Sequence, residues 1–394
     1  MNLGNLNSNN RSMSLVWIIA AGLAIVLGGL LIASFTPSIF PAQGSSQSLQ
    51  VDTLFRFMLA IGGMIFLLVN GVLLYSVIRF RHRKGDNSDG PPIHGNTTLE
   101  FTWTVIPAII VLILTVYSYT VYNSILAPVP NEMDINVTAQ RFAWTFTYSI
   151  TKDTLPEGVT LDQLPADTQA ALNAGKSITF NSPQLHTWVN QPMHVLLNSE
   201  DVNHAFWVPG MRVKQDVLPG RTTDTRFTPI EDGVYRIECA ELCGTGHGGM
   251  AGSVVDGVLQ GSWLVVHSSE ADYMSQFYDP QAKAVLFPPT DPAVLGKQIL
   301  ASGAYPCPTC HTLGALNWTG TIGPHLDGVG TRAATRVAGQ TAEQYITNSI
   351  RNPAAFIVPG FTNDMPQFHD SADQTNYMPD SDLQAIVAFL LTQK

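Results

Sequence analysis

At 394 residues, with 45% hydrophobic and 13% charged side chains, the chain is longer than one ordinary domain and poor in charge for a wholly soluble protein. Its net charge of −10 leaves nucleic-acid binding without electrostatic support, while the acidity, mostly beyond residue 130, would suit a basic docking partner. Four cysteines in two tight local pairs, Cys239/Cys243 and Cys307/Cys310, exclude a long-range disulfide framework and point to metal or cofactor sites.

The excess apolar content lies before residue 127, so residues 1–130 read as a membrane anchor with three spans. Residues 15–35 form an uncharged run long enough to cross ~30 Å of hydrocarbon. This run exceeds the roughly 7–15 residues of a secretory apolar core, and Pro41-Ala42-Gln43-Gly44 is a poor cleavage site. A retained helix is therefore expected rather than a cleaved leader. The second span, 54–78, ends in the densest positive cluster of the chain: Arg79, Arg81, His82, Arg83 and Lys84. The positive-inside rule puts that cluster in the cytoplasm, so the third span, 103–126, carries the chain back out, and everything after residue 127 lies on the outer face. Arg11 fits a cytoplasmic N-terminus. Glu100 sits at the cytoplasmic mouth of the third span. It reads either as an interfacial carboxylate favoured at a helix N-terminus or as an acid that collects protons for a neighbouring subunit.

From 131 to 267 the pattern changes to short β-branched and aromatic runs, at 141–148, 193–198, 223–228, 234–238 and 262–267, separated by Pro, Gly, Asn and Asp. This predicts an all-β sandwich or barrel, with the polar stretch 153–175 as a long excursion between strands. Two cysteines, a histidine and a methionine then fall within Cys239-Ala240-Glu241-Leu242-Cys243-Gly244-Thr245-Gly246-His247-Gly248-Gly249-Met250. Sulfur with imidazole selects copper or zinc, and a weak axial Met argues for an electron-transfer copper site. Structural zinc would ask for four strong Cys or His ligands instead. His204, expected in a loop after a strand, is the best second histidine. Two thiolates can bridge two copper ions, each capped by one imidazole.

Residues 268–290, with Ser268-Ser269, Pro280 and Pro288-Pro289, read as a linker, and 291–394 as a helical domain. A helix is predicted at 292–301, and a last one at 381–392 with Ser381 as N-cap and Leu383, Ile386, Val387 and Leu390 on its apolar face. Between them, Cys307-Pro308-Thr309-Cys310-His311 is the attachment signature of c-type haem, with His311 as proximal iron ligand. Met365 is preferred over Met378 as distal ligand, because Met378 lies almost against the last helix. His186, His194, His267, His325 and His369 read as surface residues.

The pattern Cys-x-Glu-x-Cys-x3-His-x2-Met, with Ser199-Glu200-Asp201-Val202-Asn203-His204 ahead of it, resembles the binuclear copper (CuA) domain of cytochrome c oxidase subunit II. So do Val213-Lys214-Gln215-Asp216-Val217-Leu218-Pro219-Gly220-Arg221 and the membrane segment Leu99-Glu100-Phe101-Thr102-Trp103-Thr104-Val105-Ile106-Pro107. The resemblance covers about residues 50–265 and implies a cupredoxin-like Greek-key sandwich or barrel. It implies copper ligation by His204, Cys239, Cys243, His247 and Met250 with the Glu241 backbone carbonyl, and a magnesium shared by the Glu241 side chain with subunit I. It also implies a proton pathway opening at Glu100. Where that family often carries a tryptophan for electron arrival, this chain has Phe142, in Phe142-Ala143-Trp144; Trp144 reads as core or interface rather than relay.

The C-terminal segment resembles class I cytochromes c through Gly323-Pro324-His325-Leu326-Asp327-Gly328-Val329-Gly330, which implies an all-α fold with the Pro324 carbonyl turned to the proximal histidine. The fusion as a whole is similar to caa-type haem–copper oxidases of bacterial cell membranes. That likeness implies electron flow from haem c to CuA and on to subunit I, where O2 is reduced to water with coupled proton translocation. The implied partners are subunit I, subunit III, membrane lipid, and a donor that is cytochrome c or another respiratory complex. Two rivals are a CuA-carrying input subunit of a nitric oxide reductase and a membrane-anchored copper or haem electron carrier.

Overall fold

A computed structural model describes residues 8–81, 85, 95–255, 257–371 and 374–394. The chain divides into two compact units, one built from the residues up to Ala127 and the other from 128–394 together with residues 44–47.

The first unit is helical: α1 (Ser8–Ser34), the short α2 (Thr36–Ile39), α3 (Ser46–Arg79) and α4 (Thr97–Leu126). Three stretches, Leu15–Ile39, Ser46–Arg79 and Thr97–Leu126, are long and apolar enough to cross a membrane. In hydrocarbon a helix satisfies every backbone group internally, which is why such sequences take no other form. Large apolar side chains such as Trp17, Phe66, Leu73 and Leu112 are exposed on them, as lipid-facing positions would be. Glycines set how α1 meets α3. A Cβ on Gly29 would stand 2.8 Å from the Ala60 carbonyl oxygen, and one on Gly63 would stand 3.3 Å from the Gly29 Cα. Small residues allow this close backbone approach where no hydrophobic force drives helices together. The second span starts earlier than expected, at Ser46 rather than 54. Of the positive cluster, His82, Arg83 and Lys84 lie outside the described residues.

The second unit begins with a β-sandwich. Its strands are β1 (Met133–Gln140), β2 (Ala143–Ile150), β3 (Ile178–Ser182), β4 (Leu185–Trp188), β5 (Met193–Ser199), β6 (His204–Val208), β7 (Val213–Val217), β8 (Thr223–Phe227), β9 (Gly233–Arg236), β10 (Glu238–Cys239), β11 (Ser253–Val255), β12 (Val258–Gln260) and β13 (Trp263–His267). One sheet runs β3-β2-β1-β5-β8, a second runs β4-β13-β9, and β10-β6-β7 forms a third. Pairing is mixed, with β1/β5 and β4/β13 parallel and the rest of these ladders antiparallel. Alternate residues fill the core: Ile135, Val137 and Ala139 from β1, Trp144, Phe146 and Tyr148 from β2, Val195 and Leu197 from β5. Period-two burial fixes the register, since a one-residue slip would turn each of these outward. The excursion 153–175 is partly ordered as α5 (Ala166–Asn173), which helps close the core with Leu172.

The stretch 268–290 is not a linker. It forms α6 (Glu270–Tyr273), a π-helical turn (Met274–Tyr278) and α7 (Asp279–Leu286), and its Tyr273, Phe277, Tyr278, Ala282 and Leu286 are buried in the β-domain core. The Tyr278 hydroxyl donates to the Ser149 carbonyl at 3.0 Å. Pro280, counted toward that linker, sits at the start of α7, directly after the π-helical turn. His186 and His267 are not free surface residues either. They are half-buried with Nδ1 and Nε2 3.1 Å apart, and the His186 ring stacks on Phe277 at 3.7 Å.

Beyond residue 291, short helices alternate with irregular chain: α8 (Pro292–Ala301), α9 (Cys307–Cys310), α10 (Val329–Arg332), α11 (Ala342–Arg351) and α12 (Asp380–Leu391). Helix α8 has the predicted bounds, capped by the Asp291 carboxylate, which accepts from the Ala293 amide at 2.8 Å. Helix α12 starts one residue before the predicted cap: Pro379 takes that place, and no side chain caps the helix. Its Leu383, Ile386, Val387 and Leu390 are buried as predicted.

Two outcomes test this packing. A Cβ on Gly296 of α8 would lie 1.9 Å from the Ala385 carbonyl oxygen of α12. Gly296→Ala gains about 1 kcal/mol of helix propensity, but the clash is with a backbone that cannot turn away. A net loss of about 1–3 kcal/mol is expected, read as a lower midpoint for this segment in calorimetry; an unchanged midpoint would show that α12 shifts freely. The second outcome concerns acid. Burial drives the His186 imidazole down to about 3, with His267 adding to the effect. The folded state therefore binds fewer protons than the unfolded chain between that value and the ordinary histidine value near 6.5. Stability is full above about pH 6.5 and falls as the pH drops, by at most about 1.4 kcal/mol per pH unit. His186→Phe, which keeps the stack on Phe277, should flatten that slope in denaturant titrations.

Candidate metal centre

Six donor groups converge at one end of the sandwich. His204 opens β6, paired with Val217 of β7, so it is held by a strand rather than the loop expected for it. Its ring is fully buried, with Nδ1 3.8 Å from the Cys239 Sγ. Cys239 ends β10, beside Phe206 of β6. Its Sγ lies 3.2 Å from the Glu241 carbonyl oxygen. The Cys243 Sγ lies 3.4 Å from the His247 Nδ1 and 3.4 Å from the Met250 Sδ. The donor atoms of His204, Cys239 and Cys243 all lie within 4.8 Å of one another. The structure thus brings together every residue singled out in the Cys239–Met250 loop and adds the distant His204.

The sequence did not reveal Asp201. Its carboxylate accepts from the His204 Nε2 at 3.0 Å, which turns Nδ1 toward the sulfurs. The same carboxylate accepts from the Val202 amide at 2.7 Å, and from the Arg141 amide and Nε at 2.8 and 3.1 Å. Burial would raise the Asp201 carboxyl, but the hydrogen bonds from His204, Arg141 and Val202 outweigh it and hold the group at about 2. A short carboxylate three residues ahead of a histidine carries no pattern by itself; only the turn 199–204 makes it a partner. In the same turn the Ser199 hydroxyl donates to the Val202 carbonyl at 2.6 Å.

The two thiols differ. Burial would raise Cys239, but hydrogen bonds from His204 and the Ala205 amide lower it below the usual thiol range. Cys243 is pushed up to about 12 by burial and by Cys239 beside it. A cation between them would ionise both, and soft sulfurs, imidazoles and a thioether fit copper. Around this set, the Trp144 ring stands edge-on to His204 at 6.0 Å and to Phe206 at 5.6 Å, fully buried in the core. Phe142 is buried against the loop: a Cβ on Gly246 would meet its ring at 2.3 Å. Glu241 and Leu242 are exposed. Glu100, in the first unit, accepts from the Asn96 amide at 3.1 Å, while the Asn96 side chain accepts from the Leu99 amide at 3.1 Å. It thus caps its own helix.

A second constellation lies at 307–311. The turn of α9 holds Cys307 and Cys310, and the buried His311 directs Nδ1 to the Pro324 carbonyl oxygen at 2.7 Å. A Cβ on Gly323 would come within 2.8 Å of the His311 ring, so that position needs glycine. An apolar cavity of about 150 Å³ opens here, lined by Cys307, Cys310, His311, Pro324, Met365 and Met378. Met378 is buried and Met365 half-buried, and both reach the cavity. Burial lowers the His311 imidazole and pushes the Cys307 thiol up to about 12.

Two family models match the chain. The transmembrane domain of cytochrome c oxidase subunit II covers residues 33–121, which leaves most of α1 outside it, and the periplasmic domain covers 99–258. A protein of Synechocystis sp. called cytochrome c oxidase subunit 2 is 37% identical over 54% of this chain and 70% of its own length. One of the same name from Thermostichus vulcanus is 30% identical over 61% of this chain and 81% of its length. A third, from Alkalihalophilus pseudofirmus, is 27% identical but spans 84% of this chain and 83% of its own. With membrane helices and the metal-binding sandwich both matched in chain order, the chain belongs to the cytochrome c oxidase subunit II family and is part of that oxidoreductase complex.

Proposed function

We propose that this chain is subunit II of a caa-type oxidase, in which His204, Cys239, the Glu241 carbonyl, Cys243, His247 and Met250 hold a binuclear copper centre. The observation that carries the reading is the convergence of two buried thiols with two imidazoles, a thioether and a carbonyl from two strands, β6 and β10, and the loop after them. Two thiols in so fixed a frame would suit a metal pair that takes up and gives up one electron with little change in geometry. The chain's own residues do the positioning. Asp201 fixes the His204 tautomer, β6 and β10 fix the depth of His204 and Cys239, and the buried Met250 closes the inner side.

Haem c attached at Cys307 and Cys310, with His311 as proximal ligand, is the donor in this reading. The Pro324 carbonyl on Nδ1 supports it, because it leaves Nε2 for the cavity that both methionines line. The match to the Alkalihalophilus relative covers 84% of this chain and so runs past residue 311, which means that relative shares part of this C-terminal segment. Met365 serves as distal ligand. We read residues 1–130 as the anchor, 131–286 as the copper domain with its helical appendage, and 291–394 as the haem domain. With haem held by Cys307, Cys310 and His311 and copper by the His204–Met250 donor set, the chain would supply a one-electron relay toward subunit I, where oxygen would be reduced with proton translocation. In this reading the exposed Glu241 shares a magnesium with subunit I, and Glu100 admits protons. Subunit III, and a soluble cytochrome or respiratory complex as first donor, complete the assembly in a bacterial cell membrane.

Metallated full-length chain in detergent should hold two copper ions per chain and give a mixed-valence EPR signal shared over both nuclei. Cys243→Ser should abolish that signal, and one copper per chain would overturn the reading. Haem should remain bound through a denaturing gel and be lost from it in the Cys307→Ala, Cys310→Ala double variant. Met365→Ala should remove the thioether-to-iron absorption band; if Met378→Ala removes it instead, the distal role passes to Met378.

A further inference from the structure

Strand β2 and the turn before it touch both constellations. The Thr309 hydroxyl, in the middle of the Cys307–His311 motif, donates to the Phe142 carbonyl at 2.9 Å. The methyl of the same side chain lies over the metal loop: a Cβ on Gly249 would stand 3.4 Å from it. The Phe142 ring, in turn, packs on Gly244 and Gly246 of that loop, closely enough that a Cβ on either would fall within about 3 Å of it. Three residues along β2, the buried Thr145 hydroxyl donates to the Gly303 carbonyl at 3.1 Å. Gly303 has φ +69 and approaches Pro183 so closely that an added Cβ would sit 2.7 Å from it. A left-handed turn with no room for a side chain is a seat that only glycine fits.

We infer that this face is a built docking seat, in which the Thr309 hydroxyl on the Phe142 carbonyl, backed by Thr145 on Gly303, holds the haem-attachment turn against the metal loop. The inference rests on the two cofactors proposed above. It assigns Phe142 a role through its backbone and its packing, and makes Thr309 a positioning residue. A fused donor already raises the local concentration of the reacting partner, but a tether fixes neither distance nor orientation. Electron tunnelling weakens steeply with separation, so a seat that keeps the two in contact governs the internal step more than the tether does. That step moves one electron: ferrous haem becomes ferric, and the oxidised copper pair is reduced by one electron, with no bond made and no proton required. The alternative is that the two hydroxyls are ordinary packing contacts with no bearing on transfer.

The experiment uses full-length, metallated, haem-bearing chain in detergent. Two readouts are taken: the rate of internal electron transfer after flash reduction of the haem, and amide hydrogen exchange across residues 141–146 and 244–250. Thr309→Val keeps shape and removes the donor, leaving a carbonyl unpaired; the internal rate should fall about tenfold, the scale of one lost buried hydrogen bond. Thr309→Ser should restore it. The Thr145→Val, Thr309→Val double variant should fall further and expose both segments to exchange, with copper and haem absorption unchanged. If both cofactors absorb normally and the double variant transfers at the parental rate with parental protection, the seat is overturned while the functional reading stands. If the parental chain lacks either absorption, the functional reading itself fails.

Discussion

The hydrogen bond from His204 Nε2 to Asp201 is the contact on which the rest of the site depends. An imidazole offers a metal only one nitrogen, and the partner of the other decides which one it is. Asp201 makes that choice, and it is itself over-determined by two backbone amides and a guanidinium. The Arg141 that supplies part of this grip directly precedes Phe142, whose carbonyl takes the Thr309 hydroxyl. The orientation of one metal-facing ring and the seat of the C-terminal segment are therefore fixed by adjacent residues of a single turn. A change at Asp201 would leave a buried imidazole without its partner and would also loosen the turn.

Much of this was legible in the sequence wherever the signal is local. Apolar length gave the three helices long enough to cross a membrane, and β-branched and aromatic runs between turn residues gave β2, β5, β8 and β13 to within two residues at either end. The loop Cys239–Met250 was legible because five of its donor groups are close in sequence. What failed was what depends on distant partners. The run 268–290 looked like a linker because it is rich in Ser and Pro, yet its aromatic residues find partners in β2 and β3. Phe180 stands 5.5 Å from Tyr278 and Tyr148 stands 5.0 Å from Phe277. The apolar positions 273, 277, 278, 282 and 286 do recur at helical spacing, but nothing in the run says which strands that face will meet. His186 and His267 were misread for the same reason: their ring contacts come from that helix and from each other.

Asp201 illustrates a second limit. In the sequence it is one acid among thirty; it falls in the stretch that carries the resemblance, but neither its type nor its spacing assigns it a role. Its role appears only when the turn between β5 and β6 brings it under His204. Placing His204 in a loop was a small error with a physical lesson. His204 is paired with Val217 of β7, so a ligand at the head of β6 moves less than one on a free loop would.

Glycine links the two halves of the argument. In the first unit, Gly29 and Gly63 let helix backbones meet where side chains would hold them apart. In the second, Gly244, Gly246 and Gly249 thin the metal loop so that Phe142 and Thr309 can lie directly on it. Glycines there let the backbone fold tightly around a metal. The contacts give them a second office, because a loop with side chains there would keep its metal ligands while pushing the neighbouring segment away. Glycine content in the loop thus reports on two surfaces, one facing the donor atoms and one facing the turn that carries His311, and only the first of them could be inferred from spacing alone.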